Sequence, residues 1–189
     1  MLIDPGCYYR EEQKELSDFI EQHKLMVTHV LNTHCHVDHV LGNYFVTDRY
    51  KAPLMIPAGE DPVLKAVKAY APSYGFSAYQ EAEPRGFLTE QTRLSLQGHT
   101  IKILSVPGHS PGHIGFYIEE QKILIGGDVL FRESIGRTDL PGGNFNTLIN
   151  SIHTKFFTLP DDVVVYPGHG PETTIGHEKK HNPFCALAT

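Results

Sequence analysis

Hydrophobic positions along the chain switch between two periods. From Arg10 to His23 they recur three and four residues apart, which predicts an amphipathic helix, and Asp61 to Tyr70 is read as a second one. Leu2 to Gly6 looks like a strand end running into a turn, and Leu25 to Leu31 is a β-rich apolar run. The polar cluster Asn32 to His39 follows, then a predicted helix to about Tyr50 and a short strand from Ala52 to Ile56. Ala71 to Phe87, with its Pro, Gly and Ser, reads as a loop long enough to wall a cleft. From Thr92 the period shortens to that of strands: Arg93 to Leu96, Thr100 to Val106, Gly115 to Glu119 and Lys122 to Gly126, with a tight turn at Glu120-Gln121. A glycine-rich loop, Phe131 to Gly143, leads to a helix from Asn144 to Phe157, a strand from Asp162 to Tyr166, and a tail with helical character before Asn182-Pro183.

Helices in both halves and hairpin-like strands in the middle predict two sheets covered on the outside by helices. The 189 residues, 40% of them hydrophobic, fit a single domain spanning 1–189 with a core of its own.

Charge and cysteine usage narrow the chemistry. A net charge of -6 without a block of Lys or Arg offers no footprint for nucleic acid or an anionic membrane, so the expected partner is a small molecule. No apolar run reaches the eighteen or so residues of a membrane span, and Met1-Leu2-Ile3-Asp4 is not a signal pattern, so the expected location is cytoplasmic. Cys7, Cys35 and Cys185 are odd in number and widely separated, which predicts free thiols. Oligomeric state is not legible.

Twelve histidines change the picture because several cluster with carboxylates. Thr33-His34-Cys35-His36-Val37-Asp38-His39 packs three imidazoles and a carboxylate into six residues. In extended backbone, residues two apart point the same way, so His34 and His36 can grip one ion while Cys35 faces away into packing. Asp38 and His39 then open a helix, where the chain changes direction and a second ion can be faced. Three further donors stand at predicted strand ends beside glycines: Pro107-Gly108-His109, Gly126-Gly127-Asp128 and Pro167-Gly168-His169. Bringing so many polar groups together without a cation would cost several kcal/mol of desolvation. His113, four residues after His109, is expected to orient a ligand. His23, His29, His99, His153, His177 and His181 sit in no such turn and read as ordinary surface or hydrogen-bonded histidines.

With those residues in view, the chain resembles the metallo-β-lactamase superfamily, whose His-x-His-x-Asp-His signature stands intact at His34 to His39. The resemblance implies an α+β fold, a four-layer αβ/βα sandwich with metals at one sheet edge. It implies that His34, His36 and His109 bind one metal, that Asp38, His39 and His169 bind a second, and that Asp128 bridges them. Two zinc ions are the expected cofactors, with iron or manganese also suited to the ligand set. A hydroxide between the ions would be the nucleophile, with Asp38 orienting the water or carrying its proton. Family members usually carry a strand pair before the Ile3-Asp4-Pro5-Gly6 element; almost nothing precedes it here, so either the start falls late or the fold is pared down.

Within the superfamily the likeness is to short glyoxalase II-like hydrolases, through Asn32-Thr33-His34, Gly136-Arg137-Thr138-Asp139 and Tyr166-Pro167-Gly168-His169-Gly170-Pro171. Those enzymes hydrolyse thioesters such as S-lactoylglutathione. Full-length glyoxalase II proteins add a helical C-terminal region that helps bind glutathione, whereas this chain stops soon after His181-Asn182-Pro183-Phe184. Two alternatives stay open: a mononuclear-iron persulfide dioxygenase, whose members tend to carry alanine where Gly168 stands, and a non-catalytic binding protein with a vestigial site. Arg132, Arg137 and Tyr74 are candidate cleft residues for a polar substrate.

Overall fold

The computed structural model describes residues 1–187. These divide into two compact units, Met1–Phe87 and the residues from Leu88 onward.

The first unit contains β1 (Leu2–Ile3), α1 (Arg10–Gln22), β2 (Val30–Leu31), α2 (Val37–Val40), α3 (Asn43–Tyr50), β3 (Leu54–Pro57), α4 (Asp61–Tyr70) and β4 (Gly86–Leu88). Its strands form one sheet in sequence order, and β1–β2 and β2–β3 pair in parallel. Parallel neighbours need crossover connections, which is why a helix separates each strand from the next. The Glu12 carboxylate starts α1 by accepting the N–H groups of Tyr8 and Tyr9 at 2.8 and 2.9 Å. Val30, Leu54, Ile56, Leu64 and Val67 are buried in its core, each contributing about 1.5–3 kcal/mol.

Two elements differ from the sequence pattern. The apolar run at Leu25 forms a strand only at its end, because the Leu25 N–H bonds back to Ile20 O (2.9 Å) to close α1. Leu25 and Met26 are consequently exposed. The helix expected to run on to Tyr50 breaks at Leu41-Gly42, where the Gly42 N–H donates to Pro5 O at 2.7 Å. A Cβ at Gly42 would stand 2.5 Å from Cys7 Sγ and 2.7 Å from Pro5 O, so the turn after β1 intrudes where a continuous helix would run.

The second unit contains β5 (Leu94–Leu96), β6 (His99–Ser105), β7 (Ile114–Ile118), β8 (Ile123–Gly127), β9 (Leu130–Phe131), β10 (Ser134–Ile135), α5 (Phe145–Ser151), β11 (Val164–Pro167), β12 (Thr173–Thr174) and α6 (Ile175–His181). Six strands form one sheet in the order β5-β6-β7-β8-β11-β12. All neighbours are antiparallel except β8 and β11. It follows that β6, β8 and β11 point the same way and end on one edge. The centre of β7 is buried on both faces, as Phe116 and Tyr117 show. Beneath the sheet, α5 continues as one loosely wound π turn, Ile152–Phe156, whose Phe156 packs in the core.

The glycine-rich loop holds an element the pattern hides, a hairpin of β9 and β10 with Glu133 at φ 55° in its turn. All three cysteines are free. Among the described residues no helix is long and apolar enough to cross a membrane.

Candidate metal centre

The first unit supplies His34, His36, Asp38 and His39. The segment leaves β2 at Leu31, bends at Thr33, is extended at His36 (φ -68°, ψ 156°), and turns into α2. Its geometry is held by Asp4, just beyond β1. Asp4 Oδ1 accepts from Thr33 N–H at 2.7 Å and Asn32 Nδ2 at 3.3 Å; Oδ2 accepts from Thr33 Oγ1 at 2.6 Å and His39 Nδ1 at 3.1 Å. Because the Thr33 hydroxyl gives its proton to Asp4, it accepts from His34 Nδ1 at 3.1 Å. One carboxylate therefore sets the tautomers of two imidazoles, and in both Nε2 is the nitrogen that would carry a metal. The rings of His34 and His36 lie 4.7 Å apart at 88°, and those of His34 and His39 4.1 Å apart.

Asn32 ties the ends of this segment together. Its Nδ2 donates to His39 O at 3.0 Å, and its Oδ1 accepts from Asn43 Nδ2 at 2.8 Å. Gly6 allows the close approach of the β1 turn, since a Cβ there would lie 2.5 Å from Asp38 O. Cys35 points into the apolar core, and burial pushes its thiol well above the ordinary range, with Glu60 adding to the effect.

The second unit supplies His109, Asp128 and His169, which follow β6, β8 and β11 on the shared edge. His109 Nδ1 donates to Arg137 O at 2.7 Å, which leaves Nε2 as its metal-carrying atom. Asp128 Oδ2 lies 3.7 Å from His109 Nε2 and 3.4 Å from His169 Nε2. His113 behaves as the sequence suggested: its Nε2 accepts the Asp128 N–H at 3.0 Å, so it positions that residue from behind. Two glycines permit the crowding. At Gly108 (φ 136°) a Cβ would fall 2.3 Å from Leu148 N, and at Gly136 it would fall 1.9 Å from Asp128 O.

The spacing of these donors fits a metal. Two donor atoms each about 2.1 Å from a tetrahedral cation stand about 3.4 Å apart. The separations at Asp128 match that value, and Asp38 Oδ2 to His39 Nε2 is 3.8 Å. All are short enough for shared coordination. Imidazole nitrogen with carboxylate oxygen is also the donor chemistry of zinc, iron and manganese sites.

Of the other residues singled out, Arg132 and Tyr74 are exposed. Arg137 is committed to Asp139 through contacts of 2.7 and 2.8 Å, and its guanidinium pulls that carboxyl down to about 2. His23, His153 and His177 take partners of their own in Phe19 O, Cys185 O and Glu133. Sequence reasoning passed over Asp4 and Glu60. Nothing local marks Asp4, since its partners lie 28 to 35 residues downstream. For Glu60 the available signal is an acidic residue placed between a strand and a helix.

The sequence model of the metallo-beta-lactamase superfamily matches residues 1–169, and the chain belongs to that superfamily. It thus has the metallo-β-lactamase fold, an α+β architecture of mixed sheets and helices, and the class is one of metal-dependent hydrolases. Among its relatives, hydroxyacylglutathione hydrolase GloC of Haemophilus influenzae is 40% identical over 97% of this chain and 85% of its own length. The crystal structure of BLEG-1 B3 metallo-β-lactamase superposes with a TM-score of 0.87 at 36% identity, covering 97% of this chain and 87% of that one. TTHA1623 in a di-iron-bound form gives 0.86 at 34%, covering 96% and 87%. ETHE1 from Myxococcus xanthus gives 0.75 at 27%, covering 97% and 72%.

Proposed function

We propose that this chain hydrolyses thioesters of the S-lactoylglutathione class, as a single domain with two metal ions. The observation that carries the reading is the pair of incomplete ligand sets. Four donors lie between His34 and His39 in one unit, two of them held by Asp4 directly or through Thr33, and three follow strands that end on one sheet edge in the other. His34, His36 and His109 would hold one ion and Asp38, His39 and His169 the other. Asp128, with an oxygen near both His109 and His169, would share in holding them. Two divalent cations so held would lower the pKa of a bound water towards about 7 and polarise a substrate carbonyl.

The chain's own residues do the rest. Asp38 is half exposed beside His39, placed to orient an attacking water and to take its proton. Asp4 and the Arg137 carbonyl hold the imidazoles of His39 and His109 in one tautomer, so little reorganisation is needed during turnover. Zinc is the metal we favour, and a relative crystallised with two irons supports iron as the other choice. The thioester assignment draws on the GloC relative. Three free thiols support a reducing, cytoplasmic setting.

The likeness to ETHE1 motivates a second reading, a mononuclear-iron persulfide dioxygenase. Gly168, where such dioxygenases tend to carry alanine, weighs against it. The test is elemental analysis of protein purified without added metal, with S-lactoylglutathione hydrolysis and oxygen uptake on glutathione persulfide measured on the same sample. Close to two metals with thioester cleavage supports the hydrolase. One iron with oxygen consumption would replace it with the dioxygenase.

A further inference from the structure

We infer that Glu60 is a positioning residue for the metal-ligand segment, acting through the backbone of the one residue between His34 and His36. The inference rests on the reading of those two histidines as ligands.

Glu60 directly precedes α4, and its carboxylate is fully buried. Burying a carboxylate is costly, so its contacts need a return. Its Oε2 accepts the Cys35 N–H at 2.8 Å. This hydrogen bond connects two parts of the first unit separated by 25 residues. The carboxylate also has a fixed base. Glu60 N–H donates to Pro57 O at 3.1 Å, and its carbonyl accepts from Leu64 N–H at 2.9 Å, so the residue is locked to the end of β3 and the first turn of α4.

Cys35 is therefore held twice, by its side chain in the apolar core and by its N–H on Glu60. In an extended segment, pinning the middle residue to one side fixes both flanking side chains on the other. Here those are His34 and His36, whose rings stand 4.7 Å apart. Asp4 restrains His34 and His39 from another direction. Asp4 sets the rotation of imidazoles through their Nδ1 atoms. Glu60 sets the path of the backbone that carries them.

The test compares Glu60→Gln, which keeps an acceptor oxygen, with Glu60→Ala, which removes it. Cobalt(II) serves as probe: affinity is read by competition with a chromophoric chelator, the coordination by the visible spectrum, and folding by circular dichroism of the metal-free protein. We expect Glu60→Ala to lose about 10- to 100-fold in cobalt affinity with an altered spectrum in its folded fraction. Glu60→Gln should stay within about threefold of the parent, a rescue that follows from the retained acceptor. If Glu60→Ala does not fold, Glu60→Asp, which withdraws the acceptor by one methylene, is expected to show the affinity loss. Parent-like affinity and spectrum in the folded Ala or Asp variant would overturn the inference, as would a Gln variant as weak as Ala. Failure of the unsubstituted protein to bind cobalt at all would instead remove the metal reading beneath it.

Discussion

The two ligand sets reach similar donor chemistry by opposite routes. In the first unit four donors lie within six consecutive residues, and a short extended segment turning into α2 is enough to group them. In the second unit the three donors are 60 residues apart from first to last, and only the direction and order of β6, β8 and β11 unite them. A contiguous set needs its backbone pinned against local alternatives, and it is accordingly surrounded by polar anchors: Asp4, Asn32, Asn43 and Glu60. A dispersed set borrows the rigidity of a sheet, with His113 and the Arg137 carbonyl among its polar contacts.

The comparison breaks most sharply at Asp128, the donor near two histidines at once. Asp128→Ala is expected to lower metal content from about two ions to one or none and to reduce hydrolysis on the order of a thousandfold, since metal activation supplies several kcal/mol. Elemental analysis beside initial rates reads both. Parent-like metal content would mean the second unit's set is dispensable.

A smaller effect distinguishes the two kinds of support. Asp4→Ala removes the acceptor of two imidazole networks, and metal affinity should fall by about 100-fold, the upper end for a residue behind the ligands. His113→Phe removes one hydrogen bond to the Asp128 backbone, and about tenfold is expected, because the sheet still places Asp128. Chelator competition on both variants measures the difference, and a larger loss for His113→Phe would reverse the comparison.

The smallest expected effect concerns the core of the second unit. Burial pushes the Cys185 thiol up to about 12 from its ordinary value of 9.0. Between those values the unfolded chain releases this proton while the folded chain keeps it, so stability is full below pH 9 and declines as pH rises towards 12. The limiting slope is about 1.4 kcal/mol per pH unit for one thiol. In urea unfolding at pH 8 and pH 10, Cys185→Ala should fall less steeply than the parent. Equal slopes would mean the thiol titrates alike in both states.

Legibility followed the range of the interactions. The helices Arg10–Gln22 and Asp61–Tyr70 were readable to within a residue because amphipathic periodicity and their starting residues are local. The break at Gly42 was not, because it is imposed by Pro5 and Cys7 from a different part of the chain. The β9–β10 hairpin was also hidden, since its two-residue strands sit among glycines that read as loop. In the site, His34 to His39 declared themselves by density, and His109, Asp128 and His169 by repeated glycine turns at strand ends. Asp4 and Glu60 carry no comparable mark. A carboxylate that holds backbone N–H groups distant in sequence looks like any other acidic residue until the chain is folded.

Sequence by itself determined the superfamily and singled out the candidate donors, because ligand spacing and turn glycines are written in consecutive residues. Tertiary structure alone decided which carboxylate holds His34 and His39 in place, which nitrogen His34, His39 and His109 offer, and why α2 and α3 are separate. Those outcomes depend on contacts between segments tens of residues apart, whose partners are set by sheet order and close backbone approach.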